Sequence, residues 1–456
     1  MRERMPRGAA QPEPHAEAPA RPAFTSRRGV SLTVLIVNQL IAGVGVASGI
    51  AVAAILVADL SAAPALGGLA QSSSVLGAAV VAIPLARLAV RSGRHVALAI
   101  GYALACAGAV LVIAAAASGW WVLVFLGLAA FGAGTAAGLQ ARFAATEVAA
   151  PGFEARAMSL VLWATTIGSV AGPLFSQAGD DFGVALGLPE LVGSFIFSGV
   201  AFGLSAVLVA TLLRSPRAGH LATDAADPEP VAESAEGAPA ASPPRSSARD
   251  ARAGSQKHVG ALVALRTAAR DPRALVAILA IVCAHTVMIG VMVMTPIHMT
   301  EHGLSLTLVG LVLSIHILGM FGASPIMGWL ADRIGSIRVI GIGAGLLVTA
   351  TVIGILAPDD VILLPLALGI LGLGWSASLI GGSTLLTKSV DERLRVPLQG
   401  ATDAAMNVSA AASAAFSGLV LGLGGFAAVN VVAIFVLVPL AIAALRLFTM
   451  RPRAAT

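Results

Sequence analysis

The sequence has 456 residues, of which 57% are hydrophobic and only 11% are charged. Soluble domains average about 25% charged residues, so this composition excludes an ordinary soluble protein and a disordered chain. The two cysteines, Cys106 and Cys283, both lie in apolar stretches, which excludes a disulfide scaffold. The class that remains is a polytopic membrane protein.

Long uncharged runs mark the predicted membrane spans, since a helix needs about 20 apolar residues to cross a bilayer. Two long runs, 96–141 and 404–445, each hold two helices, with breaks at Ser118–Trp121 and Gly422–Gly425. Eight further runs hold one helix each: 29–58, 60–86, 157–179, 191–213, 274–300, 302–331, 339–358 and 361–387. The sequence therefore predicts twelve spans, numbered 1 to 12 in chain order.

The orientation follows from Lys and Arg, which accumulate in cytoplasmic loops. If both termini are cytoplasmic, all 28 basic residues fall in cytoplasmic segments and none falls in an outside loop. The outside loops carry acids instead, namely Asp59, Asp180, Asp181, Glu190, Glu301, Asp359 and Asp360. We therefore predict that both termini lie in the cytoplasm, and the bias of 26 Arg to 2 Lys favours a prokaryotic inner-membrane protein. The basic excess reports topology and does not indicate nucleic-acid binding.

A polar stretch between spans 6 and 7 divides the chain into two sets of six spans. Residues 215–255 have a composition typical of disorder, and His258–Arg273 has the pattern of a basic amphipathic helix on the inner leaflet. The predicted order is a disordered cytoplasmic tail, a six-helix half, a largely disordered linker, a second six-helix half and a cytoplasmic tail. Their ranges are 1–28, 29–214, 215–272, 273–449 and 450–456.

A repeated motif follows the second span of each half. Its glycine and charged positions are Gly328, Asp332, Arg333 and Gly335 after span 8, and Arg91, Gly93 and Arg94 after span 2. The G-x-x-x-D-R-x-G loop resembles the signature of the major facilitator superfamily. The resemblance implies an all-α membrane protein, a 6+6 fold with pseudo-twofold halves, and a gate. In that gate Asp332 is expected to cap the adjacent helix and to pair with Arg333 or another basic residue.

Methionine and histidine provide the candidate substrate site, because no Asp or Glu lies in the middle of a span. His285, Met288 and Met292 share one face of span 7, and His316 and Met320 are four residues apart on span 8. Thioethers and imidazoles in an apolar cavity suit a soft ion such as Cu(I). Met stripes also fill gaps in apolar cores, so core packing is the alternative.

The M-x-x-x-M and H-x-x-x-M pair resembles the copper importers of this superfamily that supply haem–copper oxidase assembly. The resemblance implies that Met288, Met292, His316 and Met320 handle the metal, with His285 at a similar depth. Copper uptake is the leading prediction, with copper as substrate and no cofactor. The surrounding sequence belongs to a wider group that includes importers of riboflavin-like molecules, so import of a small organic solute stays open.

A second motif favours export. Span 5 contains Gly168-x-x-x-Gly172-Pro173, similar to a motif of proton-coupled drug exporters, but the arginine and glutamine expected in span 4 are replaced in Leu128–Gly132. A drug or metabolite exporter and a transporter-fold receptor are therefore alternatives. The sequence has no ATP-binding loop and no soluble catalytic domain, so no enzyme is predicted. We expect a monomeric secondary transporter whose partners are the lipid bilayer and a small solute or metal ion.

Overall fold

The computed structural model describes residues 27–149, 154–213 and 261–449, and every regular element within them is a helix. The disorder predicted for residues 1–26, for 215–255 and for the tail from residue 450 lies outside the described ranges. The predicted all-α class is confirmed for the parts of the chain that the structure describes.

The N-terminal half contains six spans, two of them interrupted. Span 4 is divided at Gly132, and span 5 contains a short 3-10 turn, Gly172–Phe175, where Pro173 removes a helical hydrogen bond. The uninterrupted helices of spans 1, 2, 3 and 6 are Arg27–Leu60, Pro64–Ser92, Arg94–Ala117 and Gly193–Leu212. The paired helices are Trp121–Phe131 with Ala133–Val148 in span 4, and Glu154–Ala171 with Ser176–Ala185 in span 5.

The C-terminal half repeats this plan after a short linker helix, Ala261–Ala268. Spans 7, 9 and 10 are Pro272–Glu301, Ser336–Leu356 and Leu363–Ser389, and span 8 consists of Leu306–Phe321 and Ser324–Ile334. The linker helix is shorter than the predicted amphipathic segment. Its buried Ala264 and Ala268 pack it against the last helical run of the chain.

That last run, Glu392–Thr449, contains two spans. Its 58 residues would extend about 87 Å as one straight helix, far more than a bilayer requires. Gly425 adopts φ 72° inside the run, and residues on both sides of it, Phe416 and Val432, line one pocket beside span 7. The chain therefore turns back at the predicted break, and the described residues contain the twelve predicted spans.

The repeated motif has the same backbone in both halves. Gly93 and Gly335 adopt φ 93° and φ 91°, a left-handed conformation that favours glycine, and each ends one helix and starts the next. Their amides donate to the carbonyl oxygens of Ala89 and Ala331. The two six-helix halves are thus related by the same turn at the same place.

The two halves meet closely at the end of the bundle that carries the acidic loops, called the acidic end; the opposite end is the basic end. The Ser72 hydroxyl of span 2 donates to the Ala411 carbonyl of span 11 at 2.7 Å, and Ser314 of span 8 donates to Val170 of span 5 at 2.6 Å. A Cβ on Gly418 would overlap the Ala65 backbone oxygen. Backbone contact through small residues therefore closes the acidic end.

Candidate functional site

A cavity of about 660 Å³ lies between the halves and is lined by spans 1, 2, 4, 5, 7, 8 and 11. Its lining residues nearest the acidic end, including Ala54 and Pro296, are buried. Those nearest the basic end are exposed, with Leu139 at 48% and Val408 at 69%. The cavity is therefore closed at the acidic end and open at the basic end.

Four of the five residues predicted to handle the substrate line this cavity. His285, Met288 and Met292 of span 7 contribute to one wall, and Met320 of span 8 lies beside them. Phe321 extends the same wall towards the basic end. The C-terminal half thus provides a soft, largely apolar surface made of thioethers and rings.

His316, the fifth, is not among the residues that line the cavity. It is fully buried, and its Nδ1 lies 2.8 Å from the carbonyl oxygen of Leu368 in span 10. A carbonyl only accepts, so Nδ1 carries the proton, and Nε2 is left buried without a hydrogen-bond partner among the described residues. The sequence predicts that His316 shares a site with Met288. The orientation of span 8 about its own axis instead places His316 against span 10.

His285 has a defined tautomer. The indole Nε1–H of Trp375 donates to its Nδ1 at 2.9 Å. Because an indole nitrogen only donates, Nδ1 of the imidazole must accept, and the ring proton lies on Nε2. His285 is therefore prepared to donate a hydrogen bond from Nε2. A metal at Nε2 would require the ring proton to move to Nδ1, which would break the hydrogen bond from Trp375.

The opposite wall contains Arg142, which the sequence analysis had assigned to a cytoplasmic loop. Arg142 lines both the main cavity and an adjoining space of about 370 Å³. Its Nε is buried without a hydrogen bond, and no described residue forms an ion pair with the guanidinium. An unpaired cation within the membrane usually marks a substrate pathway. The signal was present, since an arginine directly follows the uncharged run 96–141.

A polar cluster supports this wall behind Arg142. Gln39 donates from Nε2 to the Thr165 hydroxyl at 3.0 Å and to the Gly138 carbonyl at 3.2 Å. The hydroxyl of Tyr102 donates to Oε1 of Gln39 at 2.8 Å, and Asn38 donates to that hydroxyl at 3.0 Å. Spans 1, 3, 4 and 5 are joined here, so the polar wall is rigid where it faces the substrate space.

The span 5 motif packs helices together. A Cβ on Gly168 would overlap the Leu40 carbonyl oxygen of span 1. A Cβ on Gly172 would also be too close to Ala47 and Val44 of that span, at 2.7 Å and 2.8 Å. Pro173 lines the cavity, and its carbonyl oxygen faces Gly310 of span 8. In this conformation the motif brings span 5 against span 1 and, through Pro173, against the other half.

The motif after span 8 does not form the expected latch. Asp332 is exposed and forms no hydrogen bond or ion pair with a described residue. The helix that follows, Ser336–Leu356, has Gly335 at its N-cap and no side-chain cap. The Arg333 guanidinium instead lies 5.1 Å from the Trp329 ring centre. The cavity opens at this end, which separates the motif from the opposite half.

The equivalent motif after span 2 is paired within its own half. Arg94 contacts Glu147 at 2.7 Å and Gln140 at 2.5 Å, joining span 3 to the end of span 4. Arg91 is exposed. These contacts hold the segment that carries Arg142.

Comparison with known proteins identifies the family to which this architecture belongs. The profile of the Major Facilitator Superfamily matches residues 34–305 and 277–456. The uncharacterized MFS-type transporter YdeG of Bacillus subtilis is 34% identical over 403 residues, 88% of each chain. The chain belongs to the Major Facilitator Superfamily. It is a multi-pass membrane transporter and not an enzyme.

Two further relatives are informative. The riboflavin transporter RfnT of Brucella anthropi is 28% identical over 372 residues, 81% of this chain and 84% of RfnT. A bacterial homologue of the human lysosomal transporter Spinster superposes with a TM-score of 0.66 at 17% identity, covering 92% of this chain and 96% of the homologue. The second likeness establishes the fold.

Proposed function

We propose that this transporter carries a small organic solute of riboflavin-like chemistry by alternating access through the central cavity. The main support for this proposal is the cavity itself, in which Arg142 faces a wall of thioethers and rings. A volume of about 660 Å³ lies in the range of ligand sites for organic molecules and is far larger than a metal ion needs. The resemblance to RfnT supports the same substrate class.

The two walls suit the two parts of such a molecule. A flat heteroaromatic body packs against Met288, Met292 and Phe321, because thioethers and rings adapt to flat apolar surfaces. Carbonyl or anionic oxygens of the solute accept hydrogen bonds from Arg142 and from Nε2 of His285. The His285 tautomer supports this assignment over copper.

Copper uptake remains the second candidate, because Met288, Met292, Met320 and His285 all line one cavity. The three thioethers offer soft lone pairs without charge, which suits Cu(I). His316 is not among the residues that line this cavity, although its Nε2 lone pair is buried without a hydrogen-bond partner among the described residues.

Accumulation assays separate the candidates. Intact cells expressing the chain should accumulate radioactive riboflavin above a vector control, and the purified protein should quench riboflavin fluorescence saturably. Radioactive copper should not differ from the vector control. Lower riboflavin in expressing cells would indicate an exporter. Gene-dependent copper accumulation without riboflavin binding would overturn the organic-solute proposal.

The variants Met288→Leu and Met292→Leu further distinguish an organic solute from copper in this assay. Leucine keeps the volume of methionine, so stability should change by less than about 1.5 kcal/mol. We expect riboflavin affinity to change in a graded way, by less than tenfold, with no copper phenotype. Strong loss of copper accumulation in both variants, at unchanged membrane abundance, would favour the copper candidate.

We also propose that the basic end faces the cytoplasm, since all 28 basic residues fall in segments predicted to lie on that side. Tags at residue 235 and at both termini should then be inaccessible to impermeant reagents in intact cells and accessible after permeabilisation. Labelling of a tag at residue 235 in intact cells would reverse the orientation.

A further inference from the structure

Three polar side chains converge at the acidic end, outside the cavity and the gating motif. His298 and His302 are one turn apart at the end of span 7, and Asp359 lies in the loop between spans 9 and 10. Their ligand atoms all lie within 4.8 Å of one another. None of them is among the residues that line the central cavity.

Two of the three separations are close to those of a metal site. Asp359 Oδ1 lies 3.1 Å from Nε2 of His298 and 3.4 Å from Nε2 of His302. Tetrahedral zinc has bonds of about 2.0–2.1 Å to nitrogen and oxygen, which places neighbouring ligand atoms about 3.3–3.4 Å apart. The carbonyl oxygen of Pro358, 3.1 Å from the same His298 nitrogen, adds an oxygen at this position.

His302 is fixed in a ligand-like orientation. Nδ1 of His302 lies 2.8 Å from the His298 carbonyl oxygen and must donate to it, so the lone pair of His302 lies on Nε2. That lone pair faces a carboxylate oxygen 3.4 Å away, and a proton or a metal ion between the two acceptors would stabilise this arrangement. Metal-binding histidines commonly donate their second ring N–H to a backbone carbonyl in this way.

The position of the His298 ring is fixed by packing. It is buried, and its ring stacks on Phe426 at the start of span 12, with centroids 4.6 Å apart and planes 10° from parallel. Asp359 and His302 remain 61% and 47% exposed, so an ion can enter from the solvent. One fixed ligand and two accessible ligands thus meet at the surface.

We propose that His298, His302 and Asp359 bind a divalent transition-metal ion of the zinc type. Imidazole nitrogen favours zinc over calcium or magnesium. On binding, the ion would form bonds to Nε2 of both histidines and to the carboxylate, and the ring proton of His298 would move from Nε2 to Nδ1, so that this ring stays neutral. The site would join span 7 to the loop between spans 9 and 10.

Calorimetric titration of ZnCl₂ into the purified full-length protein tests this site. Wild-type protein should bind one ion and gain thermal stability as zinc rises. Asp359→Asn and His302→Gln should each weaken zinc binding at least about tenfold, since even outer-shell partners of such sites contribute 10- to 100-fold. Both residues are exposed, so these variants should fold.

Asp360→Asn is the matched control. The Asp360 carboxylate accepts from the backbone amides of Ile362 and Leu363, each at 2.8 Å, and takes no part in the cluster. The zinc affinity of Asp360→Asn should equal the wild-type value. The same is expected of His95→Gln, because His95 lies at the start of span 3, at the basic end and far from the cluster. Absence of zinc binding to wild-type protein would overturn the proposal, as would equal affinity in Asp359→Asn and Asp360→Asn.

Discussion

Arg142→Gln is expected to lower the affinity for riboflavin by roughly 10- to 100-fold. A hydrogen bond to a charged group contributes about 1.5–3 kcal/mol, and each 1.4 kcal/mol corresponds to about a tenfold change. Arg142 faces the cavity without a described partner, so its hydrogen-bonding capacity is available to the solute. Fluorescence titration of the purified protein measures the loss. Arg142→Lys should be intermediate, because lysine keeps the charge but not the planar fork.

Thermal stability distinguishes a binding role from a structural one. Removing an unpaired, half-buried charge relieves a desolvation cost, so Arg142→Gln should melt at or above the wild-type temperature. Arg338→Gln, which removes an exposed charge near the basic end, should change neither affinity nor stability. Unchanged riboflavin affinity in Arg142→Gln, together with a lower melting temperature, would assign Arg142 to structure alone.

The fold was largely predictable from the sequence because the bilayer imposes simple constraints. Hydrocarbon thickness sets the span length, and insertion separates basic from acidic loops. The break at Gly422–Gly425 was expected, and the structure turns at Gly425. Arg142 was missed because an arginine following an uncharged run was counted as a loop residue, although span 4 continues to Val148.

The orientation of span 8 was not predictable from spacing alone. Adjacent helical residues differ by about 100°, and span 8 is apolar on every face, so no polar stripe indicates which side meets the cavity. Ile317 and Met320 face the cavity, while His316 packs against span 10. The close helix contacts were not predictable either. The sequence has 50 glycines, and nothing in it indicates which of them pack against another backbone.

Gly418→Val is expected to reduce transport by more than about tenfold by preventing closure of the acidic end. A Cβ at Gly418 would overlap the backbone of Ala65, and neither backbone can move aside without separating spans 2 and 11. Overpacking costs about 1–3 kcal/mol, which shifts a two-state equilibrium by roughly 5- to 150-fold. An Ala54→Cys probe in a background without Cys106 and Cys283 should then label faster with an impermeant maleimide in intact cells.

Gly400→Val provides a matched control on the same helix, five turns towards the basic end. A Cβ at Gly400 meets no atom within 4 Å, so valine should be accommodated with near wild-type transport and slow labelling at Ala54→Cys. The two variants add the same side chain to the same helix and differ only in what it meets. Equal transport and equal labelling in both would contradict closure through spans 2 and 11. Faster labelling in Gly418→Val alone would establish that this glycine contact holds the acidic end shut.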